Sequence, residues 1–300
     1  MTERKALSLS DIATADNTFA IVAMDQRNTL KRMYRAVGIE SPDDEELVNI
    51  KADVVNGLKG SASAFLLDPT YGIPALEQVV GQRPGILVAA GGPERGNYHG
   101  EPRGSRIPEQ GGAWVRGLGG DALKFLIQIR PSRPHPAGTP DLVEEALAVI
   151  TEVVADARTA GVPSVIENLI YTLPGERLTE RERAGQIIEA ARLLDGLKPD
   201  LLKLEYPGSP GACRRLAKTI SGPWAVLSAG VGFDKFREVL KISCDEGGAS
   251  GFIAGRALWK EAVGMAPQAR RTYLADVAAR RLDDCVEAIS GRARPWNEGV

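Results

Sequence analysis

The chain has 300 residues, 43% apolar and 25% charged, with a formal charge of −2. That make-up suits a soluble globular protein and offers no electrostatic reason to bind nucleic acid or an anionic membrane. Only two histidines, His99 and His135, and three well-separated cysteines with no CxxC argue against a zinc enzyme.

Eight short apolar runs follow one another along the chain, with longer amphipathic segments between them. They are TFAIVAMD (18–25), SAFLLDP (63–69), GILVAAG (85–91), ALKFLIQIR (122–130), PSVIENLIY (163–171), LLKLEYP (201–207), PWAVLSAGV (223–231) and GFIAGRALW (251–259). Such continuous hydrophobicity predicts strands covered on both faces. The intervening helices have legible starts: Ser41-Pro42-Asp43-Asp44, Thr139-Pro140-Asp141, and the capping box Thr179 to Glu182. A further helix is expected from Phe233 to Glu246, stopped by Gly247-Gly248.

Strand and helix alternating in this way predict an α/β fold, a (β/α)8 TIM barrel, as one domain over residues 1–300. The segments before Thr18 and after Pro267 are expected to add helices to it. An open doubly wound sheet fits less well, because Gly230-Val231-Gly232 lacks the third glycine and lies on the seventh run. No GxSxG elbow marks a serine hydrolase. The charged N-terminus has no apolar signal region, and apolar runs of six to eight residues are too short to span a membrane. The expectation is a cytoplasmic protein with free thiols.

In a barrel, alternate strand residues face the lumen. ALKFLIQIR then sends Leu123, Phe125, Ile127 and Ile129 outward and Ala122, Lys124, Leu126 and Gln128 inward. LLKLEYP sends Leu202, Leu204 and Tyr206 outward and Leu201, Lys203 and Glu205 inward. Two of only eleven lysines are thus aimed into the barrel. Burial, and a second ammonium nearby, both lower a lysine pKa, and a neutral amine is what carbonyl attack requires. The competing reading is that each lysine neutralises a carboxylate, with Glu167 and Glu205 at hand. Parity and burial leave Lys124 and Lys203 equal as candidate nucleophiles. Asp25, Glu167 and, ranked below them as a turn former, Asp68 are candidate proton-transfer carboxylates. SAGVG and AGRA, at the last two strand ends, offer Ser228, Gly230, Gly232, Gly255 and Arg256 to a phosphate.

AMDQR, LLDPTYG, LKFL, the glutamate of VIEN, LLKLEYPG, LSAGV and AGRALW fall in order over residues 18–260. Together they resemble the class I, Schiff-base aldolases of the tagatose-1,6-bisphosphate type, with the sulfofructosephosphate aldolases as close relatives. The resemblance implies that Lys203 is the Schiff-base lysine, in a charged cluster with Lys124, Glu167 and Asp25. It places Gln26 in the pocket, and Ser228, Gly230, Gly255 and Arg256 on the phosphate of a dihydroxyacetone phosphate half. It implies reversible cleavage of a ketose phosphate, tagatose 1,6-bisphosphate-like or 6-deoxy-6-sulfofructose 1-phosphate-like, with no metal or cofactor and in a homo-oligomer. Other readings of the same barrel are a non-covalent phosphosugar isomerase or epimerase using Glu167, or a catalytically silent sugar-phosphate-binding regulator. The loops at 91–109 and after Glu167 depart from the family pattern. Arg95, His99 and Arg103 in the first of these read as solvated loop residues, or alternatively as holders of a second anion.

Overall fold

A computed structural model describes residues 6–92, 96–173 and 175–298. The strands in chain order are β1 (Phe19–Met24), β2 (Ala64–Leu67), β3 (Gly85–Ala90), β4 (Gly96–Tyr98), β5 (Glu101–Arg103), β6 (Ala122–Ile127), β7 (Ser164–Asn168), β8 (Leu201–Leu204), β9 (Trp224–Leu227) and β10 (Gly251–Ala254). Eight of them close a parallel barrel in the order β1-β10-β9-β8-β7-β6-β3-β2. This is the (β/α)8 architecture that the alternation of elements predicts. Each barrel strand lies inside one of the eight apolar runs. The runs overshoot the strands because residues just past them, such as Ile129 and Ile170, are buried as well.

The helices confirm some starts and correct one. Thr179 and Glu182 form the capping box of Glu180–Asp195, and Asp43 caps Asp44–Leu58 by accepting from the Glu46 amide. Gly248, at φ +60°, ends Phe233–Gly247 in the left-handed region that glycine favours. The helix Leu142–Thr159, however, is capped by Asp141, whose carboxylate accepts from the Val143 and Glu144 amides. Pro140 therefore precedes the cap instead of opening the first turn, and Thr139 bonds back to the Pro136 carbonyl.

The alternation weakens after β2 and β3, where only the short helices Gly72–Ala75 and Gly112–Gly117 follow. C-terminal helical segments, Pro267–Tyr273 and Leu274–Ile289, pack against Asp44–Leu58 and Phe233–Gly247 and add Leu274, Ala278, Leu282 and Ile289 to the outer core. At the other terminus the described residues before β1 include a single 3-10 turn, Leu9–Asp11. Among the described residues no helix is long and apolar enough to cross a membrane. The three cysteines are buried and unpaired.

Two apolar layers divide along the predicted parity. Leu123, Phe125, Ile127, Ile129, Leu202 and Leu204 join the core between barrel and helices. Phe19, Ile21, Leu66, Leu87, Ala122, Val165, Leu201 and Ile253 fill the lumen, with Leu9 and Ile12 packed beneath them. Among the described residues the lumen is thus packed with apolar side chains, and its buried charges, Lys124, Glu167 and Lys203, gather toward the upper end.

Candidate active site

Charge enters the lumen at the level where the strands end. Glu167 on β7 lies in register with Lys203 on β8, while Lys124 on β6 pairs with Ala89 on one side and Val165 on the other. Ala225 is the other neighbour of Lys203. Small alanines beside both lysines leave room for the long side chains to turn upward. Asp25 follows directly on the last residue of β1.

The side chains meet. Lys124 Nζ lies 2.8 Å from Asp25 Oδ2 and 2.6 Å from Glu167 Oε2. Glu167 turns its other oxygen, Oε1, to Lys203 Nζ at 3.0 Å. All three strand residues are buried. Burial would push the Asp25 and Glu167 carboxyls up, but the ammoniums of Lys124 and Lys203 outweigh it and hold both below the ordinary carboxylate range. Burial likewise disfavours charge on Lys124, yet Asp25 and Glu167 together hold it above its ordinary value. The expectation that two neighbouring lysines would depress each other therefore fails for Lys124. Two carboxylates in contact outweigh one ammonium farther off.

Glu205, the other carboxylate offered to the lysines, is engaged elsewhere. Its Oε2 accepts from the Ile170 amide at 2.8 Å, and its Oε1 pairs with Arg183. Asp68 forms a turn, accepting from the Thr70 and Tyr71 amides, and its other oxygen pairs with Lys51. That second buried lysine pair was missed by the strand argument, because Lys51 lies on the helix Asp44–Leu58. Its position four residues after Leu47 and seven before Leu58, on the buried stripe, was the available signal.

A cavity of about 600 Å³ opens above the cluster. Asp25, Gln26, Lys124, Glu167, Lys203 and Arg256 all line it. Gln26 Oε1 has no hydrogen-bond partner among the described residues and is an acceptor held ready at the wall. Ser228, Gly230 and Gly255 do not line this cavity. Gly230, at φ +78°, lies so near the Arg256 guanidinium that a Cβ there would sit 3.2 Å from Cζ. The turn after β9 and the start of Arg256–Trp259 are thus one surface. A Cβ on Gly255 would lie 2.4 Å from the Ala23 carbonyl oxygen, so that glycine serves clearance from β1.

The far wall comes from a segment that the apolar pattern did not reveal. β4 and β5 form a two-stranded antiparallel hairpin, turning at His99 (φ +50°) and Gly100 (φ +90°). Glu101 binds Arg133 through both carboxylate oxygens and accepts from the Tyr171 hydroxyl, tying the hairpin to the loops after β6 and β7. Residues 102–107 line the cavity, Arg103 and Arg106 among them. Both reach back to the helix Leu142–Thr159, pairing with Glu145 and Glu152. His99 is exposed outside this wall, and Arg95 lies outside the described residues. Arg27 and Arg32 complete a strongly basic rim. Among the described residues no three His, Cys, Asp or Glu side chains gather as a metal-binding group.

Fold and site together describe a (β/α)8 barrel with two buried lysines near the ends of its strands, beside a cavity. Residues 19–261 match the DeoC/LacD family of aldolases, and the chain belongs to that family. It is an aldolase, a carbon–carbon lyase, so the isomerase and regulator readings give way. Tagatose 1,6-diphosphate aldolase 2 of Streptococcus pyogenes serotype M3 is 27% identical over 335 aligned positions, covering 99% of this chain and 98% of that protein. Tagatose 1,6-diphosphate aldolase of Staphylococcus epidermidis is 26% identical, covering 98% of each. Among solved structures, an archaeal fructose-1,6-bisphosphate aldolase with its catalytic lysine bound to the carbinolamine intermediate superposes with a TM-score of 0.62 at 15% identity, covering 94% of this chain and 99% of that one. Fructose-bisphosphate aldolase of Plasmodium falciparum gives 0.72 at 12% identity, covering 95% and 94%. At those identities the likeness is one of fold.

Proposed function

We propose that this aldolase reversibly cleaves a ketose phosphate to dihydroxyacetone phosphate and an aldehyde through a Schiff base on Lys203. The observation that carries the reading is the unequal treatment of the two lumen lysines. Both line the cavity, but Lys124 is paired with two carboxylates, whereas among the described residues Lys203 is paired with Glu167 alone. A lysine held charged by two partners is a poor nucleophile; one beside a single carboxylate has a place to leave its proton.

In the proposed sequence, the Lys203 amine adds to the C2 carbonyl to give a carbinolamine. Glu167, 3.0 Å from Nζ, carries the proton that lets water leave. The resulting iminium is the electron sink. Asp25 takes the C4 hydroxyl proton, the C3–C4 bond breaks, and its electron pair passes into the iminium to leave an enamine. The aldehyde departs, C3 is protonated, and water releases dihydroxyacetone phosphate from Lys203. Lys124 stays charged throughout and aims both carboxylates.

Arg256, packed against the Gly230 turn, is assigned to the phosphate next to C2, with Ser228 and Gly230 on that turn and Gly255 just before Arg256. Of the rim arginines, Arg27 and Arg32 suit an anionic group at the far end, Arg103 and Arg106 being already paired with Glu145 and Glu152. The names of the curated relatives support a tagatose 1,6-bisphosphate-like substrate; 6-deoxy-6-sulfofructose 1-phosphate is the sulfonate alternative. Borohydride reduction with dihydroxyacetone phosphate, followed by peptide mass spectrometry, tests the covalent step: the adduct is expected on Lys203, and its absence sinks the mechanism. A cleavage assay over ketose mono- and bisphosphates with the sulfonate analogue identifies the sugar.

A further inference from the structure

Asp25 is the one member of the charged cluster that no strand ladder holds. β1 stops at Met24, whose register partner is Leu67 on β2. Beyond that point another group takes hold of the backbone. Lys51, with no solvent exposure, reaches from the helix Asp44–Leu58 to the end of β1. Its Nζ donates to the Met24 carbonyl at 2.5 Å and to the Gln26 carbonyl at 3.0 Å. Its third contact is Asp68 Oδ1 at 2.6 Å, and Asp68 is itself fully buried.

An ammonium has three hydrogens, and Lys51 Nζ meets three oxygen acceptors, two through hydrogen bonds and Asp68 Oδ1 as an ion pair. Two of those acceptors are the carbonyls immediately before and after Asp25. Asp68 is anchored in turn, since its Oδ2 accepts from Thr70 at 3.0 Å and Tyr71 at 2.9 Å. The chain of contacts therefore runs from the turn after β2, through Lys51, to the backbone around Asp25, and on to Lys124 and Glu167. Neither Lys51 nor Asp68 lines the cavity. A link that served the helix packing alone would need no carbonyl on each side of one carboxylate.

We infer that Lys51, anchored by Asp68, is a positioning residue for Asp25: it clamps the backbone on both sides of Asp25 and so keeps that carboxylate aimed at Lys124 and the reacting hydroxyl. The kinetic consequence rests on the proposed role of Asp25 in bond cleavage. Loss of the clamp slows cleavage and spares imine formation, in which Glu167 is the carboxylate that serves Lys203.

The test uses the double variant Lys51→Met/Asp68→Asn, which removes both charges together and leaves neither one orphaned. In a folded variant, kcat for ketose phosphate cleavage is expected to fall about tenfold to 100-fold, the scale of a displacement near 1 Å. KM is expected to move by less than about threefold, and the borohydride adduct with dihydroxyacetone phosphate on Lys203 to form as in the wild type. Cleavage within about twofold of wild type overturns the inference, and so does a parallel loss of adduct and cleavage, which marks a general collapse of the site. If the double variant does not fold, Lys51→Gln takes its place, with the same split between cleavage and adduct required. If the wild type itself forms no adduct, the Schiff-base reading fails. The crystal structure of the variant then decides the clamp: Asp25 Oδ2 still at 2.8 Å from Lys124 overturns it.

Discussion

Lys51 and Lys124 are both buried lysines in contact with carboxylates, and the protein pushes their charge in opposite directions. Burial carries Lys51 below the ordinary lysine value, and Asp68 only partly offsets it. Lys124 is as deeply placed but rises above that value, because Asp25 and Glu167 both touch it. At similar depth, two contacting carboxylates overcome burial at Lys124 and one does not at Lys51. Lys51 faces one carboxylate and two carbonyl dipoles, and works by holding backbone. Lys124 faces two carboxylates, and works as a fixed positive charge at the cavity floor. Lys203, paired with one carboxylate and lining the cavity, is the member of the set to which the proposed mechanism gives the chemistry.

Replacing each lysine in turn separates these roles. Lys203→Met is expected to have the largest effect on turnover, about 10⁴-fold or more, with loss of the borohydride adduct and an unchanged circular dichroism spectrum. Lys124→Met takes from Asp25 its contacting cation and leaves Glu167 with Lys203 alone. Cleavage is expected to fall about 10²–10³-fold and thermal stability to drop by about 3–5 kcal/mol, both measurable on one preparation. A Lys124→Met protein as stable as wild type would show that the two carboxylates need no bridge.

Smaller effects are expected at the periphery. Arg256→Ala should raise KM for a phosphorylated ketose about tenfold to 100-fold, the cost of one charge-assisted contact, with a lesser change in kcat. The acid dependence is subtler. Asp25 has a lowered folded-state pKa, so its ionised form stabilises the fold above its unfolded value near 3.8, and that contribution is lost as pH falls through the folded value. Urea unfolding of wild type and Asp25→Asn should therefore differ by a constant amount from pH 7 to pH 5, with the gap closing only below about pH 4. A gap that closes above pH 5 would contradict the depressed carboxyl.

The barrel was legible because its strands are covered on both sides: eight apolar runs mark eight strands, and the alternation in ALKFLIQIR and LLKLEYP separates the face that meets helices from the face that meets the lumen. Lys124, Glu167 and Lys203 stood out as charges breaking that alternation. The hairpin β4–β5 left no such trace, since GNY and EPR are three-residue strands without apolar alternation, and their turn carries a histidine in the left-handed region. Charge partners were also out of reach of pattern alone. Glu205 sits one residue beyond β8 with the parity of Lys203, yet the Ile170 amide and Arg183 draw it to the connection between β7 and β8. Which carboxylate a lysine finds depends on where loops return, and loop return is a property of the closed barrel.

The apolar filling of the lumen has a consequence for time as well as for shape. Below the charged layer Ile21, Leu66, Leu87 and Ile253 are packed without exposure, and Leu9 and Ile12 stopper the lower end. Such a barrel has one door. On the proposed mechanism, with the ketone half tethered to Lys203, the aldehyde would occupy the side nearer the exit and leave first, and in synthesis the ketone half would load before the aldehyde. A packed floor thus turns a reversible reaction into an ordered queue.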